Sequence, residues 1–425
     1  MPLNKYQLVN GSVYLNGSIV SKNITIDNGI IVNISDELDN NYNQIDCTNK
    51  LITPGFIDVH THFRTPGYSY KEDIKTGSEA AIKGGFLDVC TMPNTNPVLD
   101  NYNVLKEYIE KTNRYSCITI HLFSAATINQ KGEELVDIKK ISKLNIIGFS
   151  DDGRGIQDDN IMKELLIEAG KQNKLVSAHC EDESEFIDGM GYVDESHDLD
   201  DIKISQASEY KMIARDLEII EKIHEVYPYQ YHVCHISTKK SLEIIQDGKA
   251  KGFNISCEVT PHHLISDSSE IDLNDANYKM NPPLRSSEDV DYLVSGLNDG
   301  SIDIIATDHA PHTEEEKSQP FKDAPFGIIG LELAFSLLNT YLVKTNKVSL
   351  ETILRCLIDN PARIFKIKRK IAVNEIAFLN IIDLDQDVIY DRGNIKSKSK
   401  NTFYLNRLLQ GKVVMNIFNN NRYYW

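Results

Sequence analysis

The sequence predicts an α/β protein built on a (β/α)8 barrel of the TIM type, with a small β-sandwich-like domain assembled from both chain ends. Three observations lead to this fold class. Eight short apolar, β-branched runs recur through the middle of the chain, helix-like segments separate them, and both ends are rich in short strands. Eight buried strands that alternate with helices are typical of a closed parallel barrel.

The two chain ends share a strand-and-turn pattern. The first stretch alternates apolar and polar residues in "QLVNGSVYLNG" and "NITIDNGIIVNIS", where the Asn-Gly pairs are hairpin signals. After about residue 372 the chain returns to this pattern in "AFLNIIDL" and "KVVMNIFNNNRYYW". We therefore predict a small β-domain from residues 1–50 and 372–425, and a barrel domain from residues 51–371.

The eight apolar runs define the predicted barrel strands. They cover residues 55–62, 85–92, 117–126, 145–152, 175–182, 229–237, 254–263 and 301–312. Between them lie segments with an apolar spacing of about 3.6 residues and good helix formers, which predict helices within 72–85, 103–112, 160–173, 208–227 and 238–252. The acidic stretch 183–204 has no clear periodicity, and we expect a surface loop near the barrel mouth.

Composition excludes several classes of protein. With 45 Lys and Arg against 62 Asp and Glu, the formal net charge is −17, which disfavours binding to nucleic acid or to anionic membranes. No apolar run reaches the ~20 residues of a membrane span, and the N-terminus lacks the pattern of a signal peptide. Seven scattered cysteines without CxxC pairs indicate buried free thiols and a cytoplasmic location.

Polar and ionisable residues follow the apolar runs at their C-terminal ends. In a barrel these ends meet at one mouth, so we expect the side chains to converge although they span much of the chain. They are His60, His62 and Arg64 after the first run, Asn94 after the second, Asp151 and Asp152 after the fourth, His179 after the fifth, His235 after the sixth, and Asp308, His309 and His312 after the eighth.

Four histidines and two carboxylates in this set have the chemistry of a metal site. The H-x-H pair His60 and His62 lies on one face of its strand because the pleat has a period of two. Imidazole and carboxylate suit Zn²⁺ or a similar ion, and this number of ligands suffices for two ions if one carboxylate bridges them. Strand alternation alone does not choose between Asp151 and Asp152 as that bridge.

The remaining histidines have plainer interpretations. A single histidine at a strand end is more often a satisfied polar residue than a ligand. We expect His232, His262, His263 and His309 to lie in the core or beside the ligands. His121, His197 and His224 are interpreted as surface or packing residues.

Several motifs in order resemble one family. "PGFIDVHTHFRTPG", "TMPNTNP", "FSDDG", "SAHCED", "HVCHIST", "KMNPPLR", "ATDHAPHT" and "APFGIIGLE" are together similar to the dihydroorotase family, in its bacterial type with an aspartate bridge, within the amidohydrolase superfamily. The likeness runs from about residue 51 to 366. The fourth run has no lysine after Leu144, unlike relatives bridged by a carboxylated lysine. The stretches "RKIAVNEIAFLNIIDL" and "NTFYLNRLLQGKV" keep only part of the family pattern.

The resemblance implies a role for each site residue. His60, His62 and Asp308 would hold a first metal, His179 and His235 a second, and Asp152, favoured over Asp151, would bridge them. On the substrate side, Arg64, Asn94 and His312 would bind a ring carboxylate, Asn281 the ring and the backbone of Phe326 and Gly327 its amides, with His62 also lining this side.

The resemblance also implies an activity: the reversible cyclisation of N-carbamoyl-L-aspartate to L-dihydroorotate in pyrimidine biosynthesis. A metal-activated hydroxide would attack the ring amide, with Asp308 as general base and then acid. One or two Zn²⁺ per subunit, a homodimer and association with aspartate transcarbamoylase are the implied cofactor and partners. The alternatives are another cyclic amidase, namely a dihydropyrimidinase, hydantoinase or allantoinase, or a non-catalytic partner of aspartate transcarbamoylase.

Overall fold

The computed structural model describes residues 4–186, 193–194 and 203–425. Most of the stretch 183–204, interpreted above as a surface loop, lies outside the described residues, as does His197. All seven cysteines fall within them; none forms a disulfide, and all are buried except the half-buried Cys117. Within the same ranges, no helix combines the length and the apolar character that crossing a membrane would require.

The strands and helices follow the predicted order. The strands are β1 Lys5–Val9, β2 Ser12–Leu15, β3 Ser18–Ser21, β4 Asn23–Asp27, β5 Ile30–Ser35, β6 Asn43–Asp46, β7 Leu51–Pro54, β8 Phe56–Thr61, β9 Phe86–Thr91, β10 Thr119–Ser124, β11 Ile146–Phe149, β12 Leu175–Ala178, β13 Val193–Asp194, β14 Lys203–Ile204, β15 Tyr231–Val233, β16 Ile255–Val259, β17 Ile304–Ile305, β18 Leu379–Ile389, β19 Leu408–Phe418 and β20 Asn421–Tyr424. The helices are α1 Ile74–Gly84, α2 Tyr102–Tyr115, α3 Ile138–Ile141, α4 Asp159–Lys171, α5 Gln206–Ile223, α6 Lys239–Ala250, α7 Pro261–Ile265, α8 Ser287–Asp299, α9 Glu314–Lys317, α10 Ala334–Leu338, α11 Leu350–Leu354 and α12 Asn360–Ile364.

Eight parallel strands form the barrel in the order β8-β9-β10-β11-β12-β15-β16-β17. The two ends of this sheet meet where Thr61 bridges to His309 in parallel and the Asp58 carboxylate accepts 2.6 Å from the Thr307 hydroxyl. Each of the eight apolar runs contributes one strand. The strands are buried on both faces because helices cover the outside, so the predicted (β/α)8 barrel is confirmed.

The five helices predicted from periodicity form as α1, α2, α4, α5 and α6, and local chemistry sets their ends. Asp73 caps α1 by accepting from the Thr76 amide at 2.9 Å, and the Thr76 side chain completes a capping box. The helix stops at Gly85, whose φ of 91° lies in the left-handed region that glycine adopts without strain. Strand β9 therefore begins directly after Gly85, with no further loop between helix and strand.

The two chain ends build two further sheets, as expected, and β13 pairs with β14 in a separate two-stranded sheet. One sheet has the order β5-β4-β1-β6, and a six-stranded sheet has the order β20-β19-β18-β7-β2-β3. Between them lies an apolar cluster that includes Leu8, Ile24, Ile52, Leu379 and Ile417. Strand β7 belongs to the six-stranded sheet and leads straight into barrel strand β8. The domain boundaries at 50/51 and 371/372 stay a prediction.

The segment between β18 and β19 extends from the terminal sheets to the barrel mouth. Ser399 donates 2.7 Å to the Lys71 carbonyl, and Lys398 pairs with Asp73 at 2.5 Å. The buried Asn401 lies further along the same segment. The terminal part of the chain thus contacts the loop after β8, which carries Arg64.

Candidate active site

The predicted site residues converge at the C-terminal ends of the barrel strands. His60 lies in β8 and His62 just after it, while Asp152, His179, His235 and Asp308 follow β11, β12, β15 and β17. All six side chains are buried. The barrel topology brings them together because parallel strands end at the same rim.

Asp152 lies at the centre of the histidines. Its Oδ1 is 3.2 Å from His60 Nε2, 3.4 Å from His235 Nε2 and 3.6 Å from His179 Nδ1, and its Oδ2 is 3.5 Å from His62 Nε2. The Asp152 carboxylate therefore contacts all four imidazoles.

Asp151 points away from this cluster. Its carboxylate accepts hydrogen bonds from the Ala126 and Thr127 amides at 2.8 and 3.1 Å and from the Thr127 hydroxyl. The two neighbouring aspartates thus face opposite ways, as strand alternation requires. Asp151 ties the end of β11 to the segment after β10.

Asp308 faces the first two histidines from the end of the neighbouring strand, because β17 closes the barrel against β8. Its Oδ1 is 2.9 Å from His62 Nε2 and 3.6 Å from His60 Nε2. Asp308 and His235 have φ values of 47° and 28°. Non-glycine residues rarely adopt such angles, and they persist where the surroundings enforce them, as at functional sites.

Three of the four histidines have their outer nitrogen engaged by a neighbour. His60 Nδ1 is 2.6 Å from Glu258 Oε1, His62 Nδ1 is 2.9 Å from Asn94 Oδ1, and His179 Nε2 is 3.3 Å from Glu181 Oε2. A proton held on the outer nitrogen leaves the inner nitrogen of a neutral ring with its lone pair toward the cavity. Such outer contacts orient histidine ligands in metal sites.

The carboxylates of the cluster favour a positive charge on the neighbouring histidines, and the histidines favour ionised carboxylates. Burial opposes protonation of His60, but Asp152 and Glu258 outweigh it and hold its pKa well above the usual value. Burial also opposes ionisation of Asp152, but His60, His179 and His235 hold the pKa of that carboxyl well below its usual range. Burial likewise opposes ionisation of Asp308, but the hydrogen bond with His62 and the charges of His60 and His62 lower the pKa of its carboxyl.

A divalent metal fits the donors that this cavity offers. His60 Nε2 and Asp152 Oδ1, which both face into the cluster, are fully buried and have no hydrogen-bond partner among the described residues, an arrangement that is rare unless another group satisfies such atoms. The inward atoms of His60, His62 and Asp308, and of His60, Asp152 and His235, are close enough to share an ion. Imidazole nitrogen and carboxylate oxygen are typical ligands of Zn²⁺ and of other divalent first-row transition metals.

Cys234 lies beside this cluster, close to ligand atoms of His60 and Glu258. Burial raises the pKa of its thiol to about 12. Its Sγ contacts the Ser177 hydroxyl at 3.0 Å.

A cationic end of the cavity lies next to the metal ligands. Arg64 donates 3.1 Å to the Pro311 carbonyl and lies 3.1 Å from His312 Nε2. Lys71 and Glu316 each lie 3.3 Å from His312 Nδ1. Burial, and then the positive charges of Arg64 and Lys71, hold the pKa of His312 far below its usual value. His312 therefore stays neutral while Arg64 supplies the charge.

All the predicted substrate residues line one cavity of about 320 Å³, and so do five of the six predicted metal ligands, all except His60. Asn281 donates 2.9 Å to Glu181 Oε1. Phe326 and Gly327 also line this cavity. The lining residues predicted from the sequence are His62, Arg64, Asn94, Asn281, His312, Phe326 and Gly327.

Two carboxylates at the site were not predicted. Glu258 lies inside β16 and also contacts His232 Nε2 at 3.0 Å, so His232 connects to His60 through it. Glu181 connects His179 to Asn281. The only signal in the sequence is their position within the fifth and seventh apolar runs, close to histidines.

Comparison with known proteins agrees with this geometry. Residues 49–241 match the family model described as Dihydro-orotase-like. A dihydroorotase from Fusobacterium nucleatum is 41% identical over 415 residues, covering 97% of this chain and 96% of that protein. A dihydroorotase from Listeria monocytogenes is 41% identical over 401 residues and covers 93% of each chain.

Solved structures share the fold at low identity. The crystal structure of a dihydropyrimidinase from Brevibacillus agri NCHU1002 has a TM-score of 0.85 at 20% identity, covering 98% of this chain and 94% of that one. An L-hydantoinase from Arthrobacter aurescens has a TM-score of 0.82 at 22% identity, covering 98% and 95%. From the level and extent of the sequence identity, the chain belongs to the dihydroorotase family and is a hydrolase of cyclic amides.

Proposed function

We propose that this protein catalyses the reversible cyclisation of N-carbamoyl-L-aspartate to L-dihydroorotate, a step of pyrimidine biosynthesis. One observation carries the assignment of the substrate. The pair Arg64 and His312, 3.1 Å apart, lies in the same cavity as the cluster of histidines and aspartates. A guanidinium beside the reacting centre fits a ring that bears a carboxylate, because its fork of donors binds carboxylates in pairs of hydrogen bonds.

His60, His62, Asp152, His179, His235 and Asp308 would hold the metal, and their donor set supports one or two Zn²⁺ ions. A bound ion there would supply Lewis acidity and lower the pKa of a water molecule toward ~7. Glu258, Asn94 and Glu181 keep the outer nitrogens of the histidines engaged, so that the inner atoms face the cavity.

Asp308 moves the proton in this proposal. In the hydrolytic direction its carboxylate takes a proton from the attacking water and gives it to the leaving amide nitrogen. Its carboxylate lines the cavity in which the ring would lie, with Oδ1 2.9 Å from His62 Nε2. The C–N bond of the ring breaks as the new C–O bond forms, and in the synthetic direction these events reverse.

The other end of the cavity recognises the ring. Arg64 and Asn94 hold the substrate carboxylate, and the neutral His312 keeps Arg64 in place. Asn281 and the backbone of Phe326 and Gly327 pair with the ring N–H and C=O groups. Pairing of this kind rejects analogues that lack the matching groups, because the buried polar partners would be left unsatisfied.

An assay with carbamoyl-aspartate and four cyclic compounds tests this function. Purified protein supplied with Zn²⁺ should interconvert carbamoyl-aspartate and dihydroorotate and leave hydantoin, dihydrouracil and allantoin intact. Because closure neutralises a carboxylate and consumes a proton, the equilibrium ratio of dihydroorotate to carbamoyl-aspartate should fall roughly tenfold per pH unit. Hydrolysis of hydantoin or allantoin without turnover of dihydroorotate would transfer the function to the rival class.

The same proposal includes the location and the assembly of the enzyme. We propose that it is a cytoplasmic homodimer that can also associate with aspartate transcarbamoylase, which fits an enzyme of nucleotide synthesis. Light scattering of the purified chain, alone and mixed with the transcarbamoylase, measures both assemblies directly. A role as a non-catalytic partner would require a protein without turnover, which the substrate assay also detects.

A further inference from the structure

The backbone strip from Pro325 to Gly327 forms one wall of the substrate cavity. It has no regular secondary structure, so its position depends on the side chains that hold it. Two buried polar side chains from elsewhere in the chain, Lys317 and Asn401, bind its carbonyl groups. Neither touches the metal ligands, and neither lines the substrate cavity.

Lys317 holds the start of the strip through backbone carbonyls. Its ammonium donates to the carbonyl of Pro325 at 2.9 Å, of Ala276 at 2.8 Å and of Lys279 at 3.1 Å. The Lys279 carbonyl also accepts from the Gly327 amide at 2.9 Å. A single buried ammonium therefore joins the strip to the segment that leads into Asn281.

Asn401 holds the end of the strip. Its amide nitrogen donates to the Gly327 and Ala310 carbonyls, each at 3.0 Å, and its side-chain oxygen accepts from the His312 amide at 3.0 Å. Asn401 comes from the segment between β18 and β19. One carboxamide thus connects the part of the cavity that faces the ring amides with the part that holds the carboxylate.

The strip has little freedom to settle in another position. Gly327 has a φ of 116°, which a residue with a side chain adopts only under strain, and a Cβ there would press on the Cβ of Ala310. The strip is packed directly against the chain that follows Asp308. A shift of Gly327 would therefore also move Ala310 and His312.

We propose that Lys317 and Asn401 are positioning residues that fix the Pro325–Gly327 strip in the geometry that binds the amide edge of the substrate. This inference rests on the proposed function. It predicts that each residue acts on substrate affinity rather than on the chemical step, since Asp308 and the metal ligands keep their own contacts.

The sharpest test is Asn401→Asp, which keeps the size and the oxygen that accepts from His312 but replaces the donor to two carbonyls with an acceptor. We expect KM for dihydroorotate to rise roughly tenfold or more, about the loss of one or two hydrogen bonds, while kcat changes far less. Lys317→Met should behave similarly, and Lys317→Arg should recover part of the affinity.

Lys174→Met is the matched control, because Lys174 also donates to a backbone carbonyl, that of Ile146 at 2.6 Å, but before β12 at the opposite end of the barrel. Its KM should equal that of the unmodified protein. Hydrogen exchange of the Gly327 amide gives a second readout that needs no turnover, and it should accelerate in Asn401→Asp and not in Lys174→Met.

Unchanged KM and unchanged exchange in a folded Asn401→Asp would overturn the inference, as would a loss confined to kcat. If Lys317→Met does not fold, Lys317→Arg and Asn401→Asp still test whether these side chains position the strip. Failure of the unmodified protein to turn over dihydroorotate would instead count against the proposed function, and the exchange measurement would then test the anchoring alone.

Discussion

Asp308 faces both the first two histidines and the substrate cavity, which makes it the residue on which the proposed chemistry depends most directly. Asp308→Asn keeps the shape and one oxygen but cannot accept a proton. We expect a folded protein that still binds Zn²⁺ and has a kcat lower by ~10²–10⁴-fold, the usual size of general acid–base catalysis. Steady-state kinetics with metal analysis measures both properties, and a rate near that of the unmodified protein would refute the assignment.

Asp151 and Asp152 provide a matched pair of neighbouring carboxylates with different surroundings. Asp152→Ala should lose metal and activity, because it removes the carboxylate that contacts all four histidines. Asp151→Ala should keep its metal and instead lose ~1–3 kcal/mol of folding free energy, because the Ala126 and Thr127 amides lose their acceptor. Metal content and thermal unfolding of both variants distinguish the roles, and the reverse pattern would make Asp151 the bridge.

Arg64 supplies the positive charge of the substrate end, since His312 beside it stays neutral. Arg64→Ala should raise KM by roughly 10- to 100-fold, because hydrogen bonds to charged groups are the stronger ones, and should change kcat less. Arg392→Ala is the control, since that arginine pairs with Glu314 on the exposed surface. An unchanged KM in Arg64→Ala would show that Arg64 does not bind the substrate carboxylate.

At the scale of secondary structure, close packing between helices and neighbouring loops restricts several glycines. Gly170 lies in α4, and a Cβ there would fall far inside van der Waals contact of the Pro228 carbonyl oxygen. Gly170→Ala should therefore cost ~1–3 kcal/mol of folding free energy despite its better helix propensity. Denaturant unfolding measures this cost. The exposed Lys163→Ala in the same helix should be near neutral, and a stabilised Gly170→Ala would contradict the packing.

The order of strands and helices was predictable because it depends on periodicity, which is local. The apolar runs mark strands buried on both faces, and the polar residues after them mark the mouth. Glu258 was not predicted as part of the site. Its contact with His60 joins residues 198 positions apart, and no local sequence pattern indicates such a contact. Asn401 and Lys317 bind backbone rather than side chains, and backbone positions carry no signature in the sequence.

At the scale of the whole molecule, a chain of buried amides joins the barrel to the terminal sheet. Asn380 in β18 donates 2.8 Å to the carbonyl of Gly85, which precedes β9, and accepts from Asn416 at 2.8 Å. Asn416 in turn accepts from the Trp425 indole at 2.5 Å. Tyr14 reinforces the contact through a 2.5 Å hydrogen bond to Asp359. We therefore expect both parts to unfold together.

The single tryptophan makes this cooperativity measurable. Trp425 fluorescence reports on the terminal sheet, and far-ultraviolet circular dichroism reports mainly on the barrel helices, so their denaturant transitions should coincide. Asn380→Ala should shift both by ~1–3 kcal/mol, because it removes both hydrogen bonds of this side chain and leaves an Asn416 donor buried without its partner. The exposed Asn33→Ala in β5 should shift neither. Separate transitions would show that the sheet and the barrel fold as independent units joined only by the chain.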